Sequence, residues 1–263
     1  MIDVGKFYEK YSKQYISSMK NNYVALCYRH IHLNFLIEIM NKISSKYLRI
    51  LDLGCGPCFD LKFLVDSLRK IDITGVDLTK SFIEHCENLL PEGKFFNTDI
   101  MEFLQNTSQT WDIIISNFGV INHFPPTEIR NFFELVSSRL SEDGFLFVSF
   151  LNKLPLNEII YFLLRFNFKN LFRRFYINQK GFNDEEIYVY FYTINYIKSV
   201  TKKLDIELYK LRGVGWIIPP PYTKVNKRLI KFLCFIEKQF TLPLIAYISD
   251  FSIIVFRKKG GMK

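Results

Sequence analysis

The chain has 263 residues, 49% apolar, 17% aromatic and 23% charged, enough to bury one α/β core with an elaboration and incompatible with a disordered chain. No apolar run reaches the ~18–20 residues that span a bilayer and the tyrosine-rich start lacks a secretory core, so a cytoplasmic location is expected. Residues 1–150 carry 15 Lys and Arg against 18 Asp and Glu, whereas residues 151–263 carry 20 against 8, so the second half suits an anionic partner.

In chain order, Phe7 to Met40 reads as helices laid against a sheet, and includes Tyr8-Glu-Lys-Tyr-Ser-Lys-Gln-Tyr15. Residues 48–58, Leu-Arg-Ile-Leu-Asp-Leu-Gly-Cys-Gly-Pro-Cys, then run an apolar strand into a carboxylate and a glycine loop. Gly54 and Gly56 let the backbone turn sharply and approach a ligand closely. Asp52 before them selects the ligand's charge. A pyrophosphate wants backbone N–H groups and gains nothing from a carboxylate, while an ammonium or sulfonium is well matched to one. A second apolar stretch, Ile73-Thr-Gly-Val-Asp77, ends in a carboxylate 21 residues after Gly56, where the next strand of a βαβ unit delivers its tip. A helix is expected from Ser81 to Leu90, for which Asp77 is also a possible cap. Lys94-Phe-Phe-Asn-Thr-Asp99-Ile100 is a third short strand with an acidic end, and Trp111-Asp-Ile-Ile-Ile-Ser-Asn117-Phe118 a fourth, opening into a polar tip. Pro125-Pro126 starts a helix over Thr127 to Leu140, and Asp143-Gly144 turns into a fifth strand, Phe145 to Phe150.

Asp52, Gly54 and Gly56 resemble the acid-x-Gly-x-Gly of motif I of the class I S-adenosylmethionine-dependent methyltransferases, with Cys58 where a third glycine is common. The resemblance implies a doubly wound, mostly parallel seven-stranded sheet with an antiparallel edge hairpin, and S-adenosylmethionine as cofactor. It implies that Asp52 faces the cationic methionine end, that Asp77 accepts the ribose hydroxyls with Leu78 beside it, and that Asp99 holds the adenine amino group. Ile100 supplies a backbone N–H and an apolar wall, with Met101 as a weaker candidate, Asn117 lies beneath the methionine part, and Tyr15 lies near cofactor and substrate. His123 is the titratable group nearest the active face and the candidate general base, or else packs beside the cofactor. No metal is expected.

Residues 155–176 place Ile159, Phe162, Leu163 and Phe166 at helical spacing, with Arg165, Lys169, Arg173 and Arg174 among them. This reads as a basic helical cap over the substrate, or as an amphipathic helix on a membrane interface, or as a helix buried in the protein with solvated arginines. Asp205–Leu211 and Phe251–Arg257 read as strands six and seven, separated by a proline-stiffened segment carrying Trp216 and Tyr222 and by a helix from Val225 to Phe240. The expected organisation is amino-terminal helices over 1–46, a cofactor-binding core over 47–151, and over 152–263 the last strands with basic cap insertions. Cys27, Cys55, Cys58, Cys86 and Cys234 form no even framework, so reduced thiols are expected. The expected reaction is methyl transfer to an oxygen or nitrogen of a small anionic or amphiphilic metabolite. The alternatives are an RNA methyltransferase, with nucleic acid the weaker partner for want of an RNA-binding module, and a non-catalytic cofactor-binding subunit. The basic half is expected to meet an anionic substrate or a membrane surface, and the oligomeric state is left open.

Overall fold

The apolar runs form a sheet whose strands are covered on both faces, which is why they are near-continuous in Ile, Leu, Val and Phe. The computed structural model describes residues 3–45, 47–67, 70–176, 178–180, 185–223, 225–240 and 242–260. Residues 1, 2 and 46 of the expected amino-terminal unit lie outside that set. Two helices come first, α1 (Val4–Asn21) and α2 (Tyr23–Met40). They are separated at Asn22, whose side chain accepts the N–H groups of Val24 and Ala25 at 3.0 and 3.1 Å and so starts the second.

The core then alternates strand and helix: β1 (Tyr47–Leu53), α3 (Phe59–Ser67), β2 (Lys70–Asp77), α4 (Lys80–Leu89), β3 (Lys94–Asn97), α5 (Ile100–Asn106), β4 (Trp111–Ser116), α6 (Pro126–Arg139) and β5 (Leu140–Leu151). The remainder holds α7 (Leu156–Leu164), a hairpin of β6 (Asn178–Lys180) and β7 (Glu186–Tyr188), α8 (Ile194–Thr201), β8 (Ile206–Val214), α9 (Lys227–Gln239) and β9 (Phe251–Lys258). The sheet order is β3-β2-β1-β4-β5-β9-β8, parallel except for β9, which runs antiparallel to both neighbours. This is the doubly wound seven-stranded sheet expected from the sequence, with its antiparallel pair at the edge.

Alternate residues of each central strand feed opposite cores. Ile50, Ile113 and Phe147 pack with α2 and α9, while Leu51, Ile114 and Val148 pack with α6 and α8. The order of strands reverses between β1 and β4, which opens a crevice at their carboxyl ends.

Three local expectations differ from the structure. The helix begun at Leu156 stops at Leu164, because Phe166 takes a left-handed φ of 52° and the chain continues as short turns. Arg173 and Arg174 are therefore not solvated along a long helix. Arg174 is buried with ion pairs to Glu158 and Asp250, and Arg173 joins Glu158 at 2.6 Å. Finally, the cysteines are not all reduced: Cys27 of α2 is bonded to Cys234 of α9, and Cys58 of the glycine loop to Cys86 of α4, leaving Cys55 free and buried. An odd count hid these pairs, since one spans 207 residues and only the folded helices bring its cysteines together. No helix among the described residues is long and apolar enough to cross a membrane.

Candidate active site

A cavity of about 290 Å³ sits in the crevice at the strand tips. Its floor is the loop after β1. Gly54 and Gly56 hold φ of 73° and 50°, conformations that cost an L residue roughly 1–2 kcal/mol. A Cβ on Gly54 would lie 2.5 Å from Val120 Cγ2, whereas the space beside Gly56 is open, so the first glycine packs the loop and the second leaves room for a ligand. Cys58 also has a left-handed φ, 57°. The cysteine in the third-glycine position thus adopts a glycine conformation, with its sulfur bonded away to α4.

Asp52 is 5% exposed and its Oδ1 has no hydrogen-bond partner among the described residues. Burial, with Asp60 and Asp77 nearby, pushes its carboxyl well above the usual carboxylate range. A buried carboxylate oxygen without a donor is costly, and a cationic ligand removes the cost. Asp77, at the tip of β2, accepts the Gly56 N–H at 2.9 Å and the Thr79 N–H at 2.8 Å. Burial still raises its carboxyl, the two N–H groups opposing it. Thr79, rather than Asp77, is the cap residue of α4. Asp99 starts α5 by accepting from Met101 and Glu102 N–H through Oδ1 at 2.8 and 3.1 Å. Asn117 Oδ1 receives the Ser149 hydroxyl at 2.5 Å, which fixes the tip of β4.

The roof is α1 and the turn after β4. Tyr8 lies edge-on to Tyr15 and to His123, with ring centroids 5.5 and 5.9 Å apart. Burial pushes the Tyr15 hydroxyl up to about 12 and raises that of Tyr8 further. His123 Nδ1 lies 3.2 Å from the Tyr188 carbonyl. A carbonyl only accepts, so Nδ1 carries the proton and Nε2 keeps its lone pair. Burial lowers the His123 pKa, the carbonyl partly offsetting it, so the ring is neutral at neutral pH.

All ten residues singled out from the sequence, Tyr15, Asp52, Gly54, Gly56, Asp77, Leu78, Asp99, Ile100, Asn117 and His123, border this one cavity. Sequence reasoning missed the pair of Arg29 and Asp60, whose Nε and Oδ1 are 2.7 Å apart at the cavity wall, and Phe118, whose ring is tilted against His32 with centroids 4.5 Å apart. Arg29 lies mid-helix, far from any motif. Asp60, an acid in the first turn after the glycine loop, was the available signal.

The strand order, the crevice at the reversal point and the acid-tipped strands define a Rossmann-like nucleotide-cofactor enzyme. Comparison with known proteins narrows this. Residues 50–144 match the family model described as a methyltransferase domain. An uncharacterised protein of Methanocaldococcus jannaschii is 24% identical over 247 residues, 90% of each chain. A malonyl-[acyl-carrier protein] O-methyltransferase of Acetivibrio thermocellus is 30% identical over 151 residues, 56% of this chain and 49% of that one. Among solved structures, magnesium protoporphyrin IX methyltransferase from Synechocystis PCC 6803, with bound SAH, superposes with a TM-score of 0.63 at 10% identity, covering 97% of this chain and 98% of the other. Residues 50–144 are thus a methyltransferase domain, carried on a fold shared with S-adenosylmethionine-dependent methyltransferases.

Proposed function

We propose that this cavity binds S-adenosylmethionine through Asp52, Asp77 and Asp99, and that the chain methylates an oxygen or nitrogen of a small anionic or amphiphilic molecule. The observation that carries the reading is the unpartnered Asp52 carboxylate buried at the head of the glycine loop. Its chemistry fits an ammonium or a sulfonium. Asp77 holds the loop through one N–H on each oxygen and offers the remaining lone pairs to ribose hydroxyls, and Asp99 has Oδ2 to spare for an adenine amino group. Leu78 and Ile100 supply the apolar walls of that end, and Asn117 and Tyr15 border the other.

When bound, the cofactor supplies an electrophilic methyl group on sulfur. The protein's part is to align the acceptor and keep water out, an effect worth up to about 7–11 kcal/mol. Tyr8, Phe82, Phe118 and Phe124 give the apolar lining for that. His123, neutral with Nε2 open, accepts the proton that a hydroxyl or ammonium acceptor must lose. The relative that methylates malonyl-[acyl-carrier protein] is an O-methyltransferase, which supports an oxygen acceptor, and the basic second half supports an anionic or amphiphilic one.

Calorimetry with S-adenosylmethionine, S-adenosylhomocysteine and NADH tests the cofactor assignment. Heat with the first two and none with NADH is expected, and the converse overturns it. Transfer of labelled methyl from the cofactor to small carboxylates, acyl thioesters and RNA tests the acceptor. Label appearing only in RNA overturns the small-molecule reading.

A further inference from the structure

The carboxyl end of the sheet, where the cavity opens, also carries three segments with large apolar side chains in water. β5 leads there into α7, β8 into the Pro-rich connector, and a turn over Pro243–Tyr247 returns to β9. Beyond α7, Phe166 is 82% exposed, on α9 Phe235 is 63% exposed, and in the turn Leu244 is 79% exposed. The three segments are hydrogen-bonded to the same neighbours and to one another's flanks. Asn157 of α7 donates to the Ile218 carbonyl at 2.9 Å, Glu237 of α9 accepts the Ile218 N–H at 3.3 Å, and the Leu156 N–H donates to the Ile248 carbonyl at 2.7 Å.

α9 has three stripes where a helix of a globular protein needs two. Ile230 and Glu237 face inward, with Cys234 bonded to α2. Leu229, Phe232, Ile236 and Phe240 recur at helical spacing, all but the partly buried Ile236 being exposed. Lys227, Arg228 and Lys231 border them, all exposed, and Arg165 and Lys169 stand exposed beside Phe166. The only acids in 152–176, 225–240 and 242–249 are Glu158 and Glu237, and both are buried. The exposed face of these segments therefore offers cations and hydrocarbon, and no carboxylate.

That composition selects the occupant. A second copy would set these cations against their own images, because a two-fold interface presents the same patch twice. An exposed apolar area of this extent, edged by Lys and Arg, has the chemistry of a helix lying at a head-group boundary. We propose that the extension of α7, the outer face of α9 and the Pro243–Tyr247 turn rest together on an anionic lipid bilayer. Phe and Leu side chains enter the acyl boundary, while Lys and Arg stay among the head groups. The proposal concerns docking alone and stands apart from the methyl-transfer reading.

Flotation of the full chain with phosphatidylglycerol-containing vesicles and with pure phosphatidylcholine vesicles tests it. Binding at least tenfold stronger to the anionic vesicles, weakened by salt, is expected. The triple variant Phe166→Glu, Phe235→Glu, Leu244→Glu should lose at least tenfold in vesicle binding while its melting temperature and cofactor binding hold, and Leu244→Glu alone guards against misfolding of the triple. No flotation with anionic vesicles overturns the proposal. So do Glu variants that float as well as the parent, or a parent that sediments as a dimer dissolved by the same substitutions and ignores vesicles.

Discussion

A carboxylate shut away from water at the head of a glycine loop works against the empty fold whenever it is charged. Asp52 has its pKa raised by burial, so its contribution to stability is fullest below the ordinary carboxylate range and is lost as pH rises through the raised value. Asp52→Asn should therefore melt higher than the parent at pH 8, by roughly 1 kcal/mol, with the gain shrinking toward pH 4. The same change should weaken S-adenosylmethionine binding by more than about tenfold, or 1.4 kcal/mol, because the cationic end loses its counter-charge. Melting curves at the two pH values, paired with calorimetry, check both signs. Asp77 behaves differently because it serves loop and ligand at once. Asp77→Ala should remove measurable cofactor affinity and also lower the melting temperature, since the Gly56 and Thr79 N–H groups lose their acceptor. Asp77→Asn, which keeps one acceptor oxygen, should restore much of the melting temperature but little of the affinity. These residues were legible in the sequence because each stands at a strand tip, a position fixed by local pattern. The Arg29–Asp60 pair was not, since it joins two helices whose approach depends on the whole sheet.

At the scale of elements, the segment after β5 departs furthest from its sequence reading. Helical spacing over 155–176 suggested one long cap, yet Arg173 and Arg174 turn inward to Glu158, and Arg174 also to Asp250 just before β9. They pin α7 to the sheet. Burial works to raise the Glu158 carboxyl, but the two guanidinium groups outweigh it and hold it at about 2. The stability this group contributes is thus present above its ordinary value of 4.5 and lost as pH falls toward 2. Arg174→Ala strips the buried Asp250 of its guanidinium and leaves Glu158 with Arg173 alone, and should cost about 3–5 kcal/mol in urea unfolding at pH 7. Unchanged stability there would return the arginines to the surface of a lid. The disulfide between α2 and α9 acts at the same scale by closing a loop of 207 residues. Replacing Cys27 and Cys234 by Ser should lower unfolding free energy by about 2–4 kcal/mol, read in the same titration under non-reducing conditions. Composition could signal neither device, because an ion-pair network and a long-range sulfur bond are properties of tertiary approach and not of periodicity.

For the whole molecule, stability should grade from the middle of the sheet outward. β1, β4 and β5 are flanked by strands on both edges and by helices on both faces, and Ile50, Leu51, Ile113, Ile114, Leu146 and Phe147 are fully buried. Their backbone N–H groups open only when the fold does. The turns over 165–172 make backbone bonds among themselves, as with Asn170 N–H to Asn167 and Leu171 N–H to Phe168, and expose Phe166, Phe168 and Phe172. Little apolar burial opposes their opening. The sheet was readable because parallel strands buried on two faces must be written as apolar runs, whereas these turns carry an equally apolar sequence with no core to receive it. That mismatch explains why pattern alone predicted a helix there. Hydrogen exchange in the absence of lipid should show peptides from β1, β4 and β5 exchanging last and peptides covering 165–172 exchanging orders of magnitude sooner, with Arg174 and its neighbours protected in between. Protection of 165–172 equal to that of β4 would mean that these side chains are already covered in solution, and the gradient from centre to surface would have to be drawn the other way.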